Sequence, residues 1–197
     1  MRVSRRHVLA GGLLLPWAAS STARPTKDAL ADLERRSGGR LGFCLLDTGT
    51  GRVMSHRMDA RFAMCSTFKL LLAARLLHGA DKAQWAMAER LPVTKADMLF
   101  NAPFTEKRIG GTASLLELAE AMAVLSDNPA ANIALAKVGG PAALTAWLRS
   151  IADQTTRIDR NEPEMNNEAP GDPRDTTTPA AMLATSRALV EGRILSP

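Results

Sequence analysis

The segment that most constrains the fold is an apolar run at residues 66–77, which is hydrophobic on nearly every side if it forms a helix. Three consecutive leucines begin at Leu70, and the run continues to Leu77. A helix that is apolar all round must be surrounded by other elements. The 197 residues, 46% hydrophobic and 23% charged, suit one domain, or one domain with a small partner. We therefore predict a globular fold built around this helix.

The first 23 residues have the pattern of an export signal. Arg5 and Arg6 precede an apolar run at residues 8–17, and small residues follow as far as Ala23. A positive start, a short apolar run and a small-residue cleavage zone are typical of a bacterial signal peptide, here of the twin-arginine type. A membrane anchor is the alternative, although the run is short for a bilayer. We predict cleavage near Ala23, a periplasmic or secreted protein without membrane attachment, and a mature domain at residues 24–197.

The charge of the mature chain argues against nucleic acid as a partner. Removing residues 1–23 takes away three arginines and no acid, so 25 basic residues become 22 against 20 acidic ones, and the net charge falls from +5 to +2. Only 4% of the residues are aromatic, and no basic stripe is interleaved with them. The histidines, His7, His56 and His78, are scattered. We expect no metal, no cofactor and a monomer.

Two cysteines, Cys44 and Cys65, would meet an oxidising compartment after export. Either they form a disulfide, or they are two buried free thiols. The sequence does not supply the geometry that a disulfide requires, so both alternatives stay open.

Local patterns predict a single β-hairpin followed by helices and loops. Strands are expected at residues 40–47 and 52–56, joined by a glycine-rich turn, and no other convincing strand pattern follows. Ser114 and Glu117 have the spacing of a capping box, which begins a helix. Its inner face would carry Leu115, Leu118, Met122 and Leu125. Further helices are expected at residues 27–36, 128–138, 141–151 and 178–191, with a polar loop at residues 160–177.

Ser66 and Lys69 are the first candidate catalytic pair. Positions i and i+3 of a helix lie on one face, so both side chains would point the same way. A serine hydroxyl is a weak nucleophile that needs a nearby base, and burial can lower the pKa of a lysine enough for that role. Alone, the pair is more typical of a helix cap beside a solvated lysine.

Two further motifs strengthen the catalytic interpretation. Ser126, Asp127 and Asn128 lie between two predicted helices, where side chains can project into a cleft, although capping alone would favour the same residue types. Glu162 and Asn166 lie in the polar loop, where an acid beside an amide can hold and deprotonate a water molecule. A solvated acidic loop is the alternative.

Together these motifs resemble the class A serine β-lactamases from about residue 33 onward. Ser-x-x-Lys followed by Ser-Asp-Asn is shared by class A β-lactamases and penicillin-binding proteins, with Lys-Thr-Gly as the third motif. The longer strings that agree are residues 62–69, 105–107, 126–132, 157–166 and 174–182. The resemblance implies an α/β (α+β) fold of the β-lactamase and transpeptidase type. In that fold a mostly helical domain (about residues 66–192) accompanies an antiparallel sheet covered by helices, whose N-terminal part is at residues 26–62.

The resemblance also implies a role for each motif residue. Ser66 would attack the β-lactam carbonyl and Lys69 would activate it. Ser126 would pass a proton to the leaving nitrogen, and Glu162 with Asn166 would hold the hydrolytic water. The implied substrate is a penicillin or cephalosporin.

The same resemblance assigns substrate contacts and a loop anchor. Asn128 would bind the substrate's side-chain amide and orient Lys69. Asn101, or Phe100, stands where the family usually has an aromatic at the cleft mouth. Arg160 would pair with Asp175 across the neck of the glutamate loop, and the Glu162–Pro163 bond is expected to be cis.

One family motif is absent from the sequence. No Lys-Thr-Gly or Lys-Ser-Gly occurs before the last residue, Pro197, so we expect a C-terminally truncated member of the family. Only two N-terminal strands would remain, and an isolated hairpin is marginal in water. We therefore expect this chain to be poorly folded and nearly inactive. An inactive truncated gene product remains an alternative to an enzyme. A penicillin-binding DD-peptidase is disfavoured, because such proteins lack the Glu162 and Asn166 element.

Overall fold

The computed structural model describes residues 27–167 and 169–196. The predicted export signal and its cleavage near Ala23 lie outside the described residues. Within the described part, none of the helices combines the length and apolarity needed to cross a membrane.

The described part contains six α-helices and six short strands. The helices are α1 (Lys27–Ser37), α2 (Phe68–Asp81), α3 (Leu115–Val124), α4 (Asn128–Lys137), α5 (Gly140–Ser150) and α6 (Pro179–Val190). The strands are β1 (Phe43–Leu46), β2 (Val53–His56), β3 (Phe62–Ala63), β4 (Arg90–Pro92), β5 (Thr112–Ser114) and β6 (Thr176–Thr177). Short 3₁₀ helices lie at Cys65–Thr67, Lys95–Asp97, Thr105–Arg108 and Glu164–Asn166. This combination of helices with small antiparallel sheets agrees with the predicted fold class.

The strands form three antiparallel pairs. The predicted hairpin is confirmed as β1 paired with β2, in the register Phe43 opposite His56 and Leu46 opposite Val53. The prediction that no other strand follows is wrong, because β3 pairs with β6 and β4 pairs with β5. Strands of two or three residues are too short to show an alternating pattern, and tertiary contacts define them instead.

Helix α2 lies at the centre of the core, as the apolar run predicted, but one of its sides is open. Phe68, Leu71 and Leu76 are fully buried, whereas Leu70 and Leu77 are 48% and 40% exposed. Positions i and i+7 lie on one face of a helix, so these two leucines form a stripe that remains open to solvent in the described part. The expectation of burial on nearly every side is therefore wrong for this stripe.

Helix caps fix the elements that carry the candidate residues. Ser114 and Glu117 form the predicted capping box at α3: the Glu117 N–H donates to Ser114 Oγ over 3.1 Å, and the Ser114 N–H donates to the Glu117 carboxylate over 2.8 Å. Asp127 caps α4, which has proline in its first turn as predicted. Leu125, expected on the inner face of α3, is about half exposed, because the helix ends at Val124 and Leu125 follows it.

The cysteines match neither alternative. No disulfide joins Cys44 to Cys65, and neither residue is buried, since Cys44 is partly covered and Cys65 is exposed. Cys44 lies on the two-stranded β1–β2 sheet and Cys65 lies in the turn before α2, both at the surface of the described part.

Candidate active site

The nucleophile candidate lies in a tight turn between β3 and α2. Cys65 has a left-handed backbone conformation, with φ +43°. The turn that carries Ser66 then runs directly into α2. The Met64 N–H donates to the Asp175 carbonyl over 2.8 Å, extending the β3–β6 pairing up to the turn. Ser66 is therefore exposed just before the start of α2, in a turn whose backbone is fixed by contacts with residues 175–177.

Lys69 follows one turn later and is the centre of the site. Its side chain is only 2% exposed. Its Nζ donates to Asn128 Oδ1 over 2.6 Å, to the Ser126 carbonyl over 3.0 Å, and to the hydroxyls of Ser66 and Ser126 over 3.1 Å each. It also lies 3.3 Å from Glu162 Oε1. The structure thus brings four of the sequence-predicted residues, Ser66, Ser126, Asn128 and Glu162, around the ammonium group of a fifth, Lys69.

Burial holds the pKa of Lys69 below its ordinary value of 10.5. Removing the ammonium group from water disfavours its charged form. The negative charge of Glu162 and its hydrogen bond to the lysine act in the opposite direction, as does the charge of Asp127, but burial dominates. A lysine with a lowered pKa is a neutral amine more often than one at the surface, and only the neutral amine can accept a proton.

Ser126 connects the lysine to the nucleophile candidate. It has a left-handed backbone conformation, with φ +56°, and its hydroxyl donates to Ser66 Oγ over 2.9 Å. The two hydroxyls and the Lys69 ammonium therefore form a closed triangle of hydrogen bonds. Each of the three groups therefore lies within hydrogen-bonding distance of the other two.

Glu162 approaches Lys69 from the loop at residues 160–177. Its carboxylate accepts a 2.6 Å hydrogen bond from Asn166 Nδ2, and its side chain is almost fully buried. The Glu162–Pro163 peptide bond is cis, which confirms the expectation. The carboxylate is thus held between an amide and an ammonium group, with both of its oxygens in polar contact.

Asn132 also holds Glu162, and the sequence reasoning gave it no role. Asn132 Nδ2 donates to the Glu162 carbonyl over 2.8 Å, and the Glu162 N–H donates back to Asn132 Oδ1 over 2.9 Å. Asn128 and Asn132 are four residues apart on α4, so they share a face. That spacing of two asparagines was the available sequence signal.

The neck of the glutamate loop is closed at Asp175. Arg160 Nε lies 2.5 Å from Asp175 Oδ2, and the other carboxylate oxygen accepts hydrogen bonds from the backbone N–H groups of Asp159 and Arg160 over 2.7 and 3.0 Å. Asp175 is buried. The predicted residues therefore do meet at the neck.

Asn101 lies beside the site, but its amide group points to the protein backbone. Its Nδ2 donates to the Ser126 carbonyl over 2.7 Å and to the Leu125 carbonyl over 3.3 Å. Its own carbonyl accepts the Asn128 N–H over 3.0 Å. Asn101, which was expected to contact the substrate, thus forms its hydrogen bonds with Leu125, Ser126 and Asn128.

Asp127, a buried acid beside Ser126 and Asn128, holds the backbone near the site in place. Asp127 accepts hydrogen bonds from the backbone N–H groups of Phe104, Thr105 and Ala130, and from the Thr105 hydroxyl. All of these distances lie between 2.9 and 3.0 Å. Asp127 therefore ties the start of α4 to the segment that follows Asn101.

No group of three or more histidine, cysteine, aspartate or glutamate side chains within residues 27–167 and 169–196 could hold a metal ion. The chemistry available is that of hydroxyls, an amine and a carboxylate. A serine with a lysine one helical turn away, and a second serine and a carboxylate around that lysine, is typical of enzymes that transfer an acyl group through a serine.

Comparison with known proteins identifies the family. The model of the β-lactamase enzyme family matches residues 25–197. β-Lactamase L2 of Stenotrophomonas maltophilia is 49% identical over 190 residues, which cover 92% of this chain and 63% of the relative. β-Lactamase CTX-M-8 of Citrobacter amalonaticus is 44% identical over 173 residues, covering 88% of this chain and 60% of the relative.

Solved structures agree with the sequence relatives. An ancestral class A β-lactamase superposes with a TM-score of 0.85 at 56% identity, covering 87% of this chain and 66% of that one. A β-lactamase from Xanthomonas campestris pv. campestris gives a TM-score of 0.83 at 50% identity, covering 85% and 63%. The chain belongs to the class A β-lactamase family, and it spans somewhat less than two thirds of the length of these relatives.

Proposed function

We propose that this protein hydrolyses the amide bond of β-lactam antibiotics through an acyl-enzyme on Ser66, and thereby confers resistance to penicillins or cephalosporins. The observation that carries the proposal is the position of Lys69 Nζ, within 3.3 Å of Ser66, Ser126, Asn128 and Glu162. Family membership supports the same reaction.

In acylation, Ser66 Oγ attacks the lactam carbonyl and its proton passes to Lys69, directly or through the shared proton network. The lowered pKa of Lys69 suits it to that role. The bond between the carbonyl carbon and the lactam nitrogen breaks, and Ser126 delivers a proton to that nitrogen. Lys69 Nζ, 3.1 Å from Ser126 Oγ, then returns to Ser126 the proton that it took from Ser66, so the acyl-enzyme forms with Lys69 neutral and Ser126 protonated again. The backbone N–H of Ser66, in the 3₁₀ helix that leads into α2, would be one donor to the oxyanion.

In deacylation, Glu162 removes a proton from a water molecule that attacks the ester carbonyl. The bond between the carbonyl carbon and Ser66 Oγ then breaks, the proton passes to Ser66 Oγ, and the opened drug leaves as the free acid. Asn166 Nδ2, 2.6 Å from the Glu162 carboxylate, would help to hold that water. The Arg160–Asp175 ion pair would anchor the loop, because small displacements of a general base cost large factors in rate.

Asn128 would serve both substrate binding and the orientation of Lys69. Its Oδ1 accepts from Lys69 Nζ, which fixes the lysine's direction, and its Nδ2 donates to the Phe100 carbonyl at the rim of the site. A substrate amide arriving at this rim could pair with the same side chain.

Export through a twin-arginine signal to the periplasm or the medium, and action as a monomer, belong to the same proposal. The Arg5–Arg6 pair and the following apolar run support the export route. A β-lactamase is favoured over a penicillin-binding peptidase, because the Glu162 carboxylate lies within reach of Lys69 and supplies a base for deacylation.

Mass spectrometry of the Glu162→Ala variant after mixing with a penicillin tests the proposal. We expect an adduct with the mass of the intact drug to accumulate, because acylation persists while deacylation loses its base. When these variants are made in a version of the protein that includes the family's Lys-Thr-Gly portion, the unsubstituted protein should show the adduct only transiently, and Ser66→Ala should show none. Rapid turnover by Glu162→Ala would contradict the role given to this glutamate.

A further inference from the structure

We propose that Asn101 is a positioning residue that holds the backbone of Ser126, and through it the proton-transfer triangle, instead of contacting the substrate. This inference rests on the proposed function. It gives the residue at the cleft mouth a role in the rate of the chemical step, with little effect on binding of the drug.

The backbone of Asn101 is shaped for this contact. Asn101 has a left-handed conformation with φ +57°, and asparagine is among the few residue types that tolerate it. In this conformation the side-chain amide lies against two successive carbonyls, at 2.7 Å from Ser126 O and 3.3 Å from Leu125 O. Both N–H groups are thereby directed at the chain that leads into and through Ser126.

The Ser126 carbonyl receives a donor from each side. Lys69 Nζ donates to it from the interior over 3.0 Å, and Asn101 Nδ2 donates from the surface over 2.7 Å. A carbonyl oxygen has two lone pairs, so both are used. Two hydrogen bonds, one from Lys69 and one from Asn101, therefore restrain the orientation of this peptide group.

The orientation of that peptide determines where the Ser126 hydroxyl lies. Serine rarely adopts φ +56°, so this conformation persists only where surrounding contacts enforce it. This conformation places Ser126 Oγ 2.9 Å from Ser66 Oγ and 3.1 Å from Lys69 Nζ. Loss of the outer donor would let the Ser126 peptide turn toward commoner conformations, which lengthens both contacts.

Asn101 is itself tied to α4 and does not move with a free loop. Its carbonyl accepts the Asn128 N–H over 3.0 Å, and the preceding carbonyl, of Phe100, accepts from Asn128 Nδ2 over 3.1 Å. Phe100 and Asn101 therefore form hydrogen bonds both with Asn128, the first residue of α4, and with Ser126. Asn101 thus connects Asn128 to Ser126 and restrains the position of both.

Two variants separate the side-chain donor from the backbone conformation. Asn101→Gly keeps the left-handed φ without strain but removes the amide, and Asn101→Asp keeps size and conformational tolerance but replaces the donor by a carboxylate facing two carbonyls. We expect kcat for a penicillin to fall about 3- to 10-fold in the glycine variant and about 10-fold or more in the aspartate variant, with KM nearly unchanged. A rise in KM at constant kcat would instead make Asn101 a substrate contact and overturn the inference.

Crystal structures of the unsubstituted protein and Asn101→Asp provide a readout that needs no turnover. We expect the separation between the hydroxyls of Ser126 and Ser66 to exceed hydrogen-bonding distance in the variant, with a changed φ at Ser126. An unchanged triangle would overturn the inference. If the unsubstituted protein forms no adduct with any β-lactam, the proposed function fails, and this structural comparison still decides the role of Asn101.

Discussion

Asn132→Ala tests whether helix α4 sets the position of Glu162, the proposed general base. The substitution removes a donor and an acceptor that together bind the two backbone polar groups of Glu162, at 2.8 and 2.9 Å. Glu162 is almost fully buried, so its N–H and carbonyl have little access to replacement water. We expect both a loss of stability and a loss of rate.

The size of the stability loss follows from two hydrogen bonds and one helix position. A neutral hydrogen bond contributes about 0.5–1.5 kcal/mol net, so the pair contributes about 1–3 kcal/mol. Alanine is the better helix former inside α4 and returns about 0.5 kcal/mol. The free energy of unfolding should therefore fall by about 0.5–2.5 kcal/mol. The rate loss should be larger, up to about 100-fold in kcat, because a displaced base no longer aligns its water.

Urea denaturation and single-turnover kinetics measure the two effects separately. The acyl-enzyme should form at nearly the normal rate and then decay slowly, because deacylation is the step proposed for Glu162. Asn161→Ala, which changes an exposed asparagine next to Glu162, is the matched control and should alter stability by less than about 0.5 kcal/mol. If Asn132→Ala unfolds at the same urea concentration as the parent and hydrolyses the drug at the same rate, Asn132 does not set the position of Glu162.

Two further predictions concern the ion pairs. Asp175→Asn keeps the shape and the left-handed φ of +54° but removes the charge opposite Arg160, so we expect a loss of about 2–3 kcal/mol in urea denaturation; an unchanged midpoint would show that the neck is held without the pair. The pKa of Glu34 is lowered from 4.5 to about 2 by hydrogen bonds from Arg57, His56 and the Leu41 N–H. A lowered pKa means that this carboxylate stabilises the fold above pH 4.5 and stops doing so as the pH falls toward 2. The melting temperature of Glu34→Gln should therefore lie below that of the parent at neutral pH and converge with it near pH 2, and a difference that is independent of pH would contradict this.

The sequence predicted what local contacts determine. Each of α3, α4 and α6 begins at a capping residue, and α4 and α6 also have proline in the first turn. Because these signals lie within a few residues of the helix start, the sequence predicts all three starts correctly. The β3–β6 pair joins residues more than a hundred positions apart through two residues on each side, and no local pattern records such a pairing. The open stripe of Leu70 and Leu77 was missed for the same reason, since periodicity gives the apolar faces of a helix but not which of them is covered.

The backbone conformations around the site explain why motif residues alone do not define it. Cys65, Asn101, Ser126 and Asp175 all have φ between +43° and +57°. Asparagine and aspartate accept this conformation, whereas for cysteine and serine it is uncommon, and such residues cost of order 1–3 kcal/mol each. The two uncommon cases are the residue before Ser66 and the residue that bridges Ser66 to Lys69. The 2.9 Å approach of the two hydroxyls therefore depends on conformations that neither segment would favour alone. Three hydrogen bonds enforce these conformations: the Met64 N–H donates to the Asp175 carbonyl, and Asn101 and Lys69 donate to the Ser126 carbonyl. These contacts are as much a part of the site as the groups that would react.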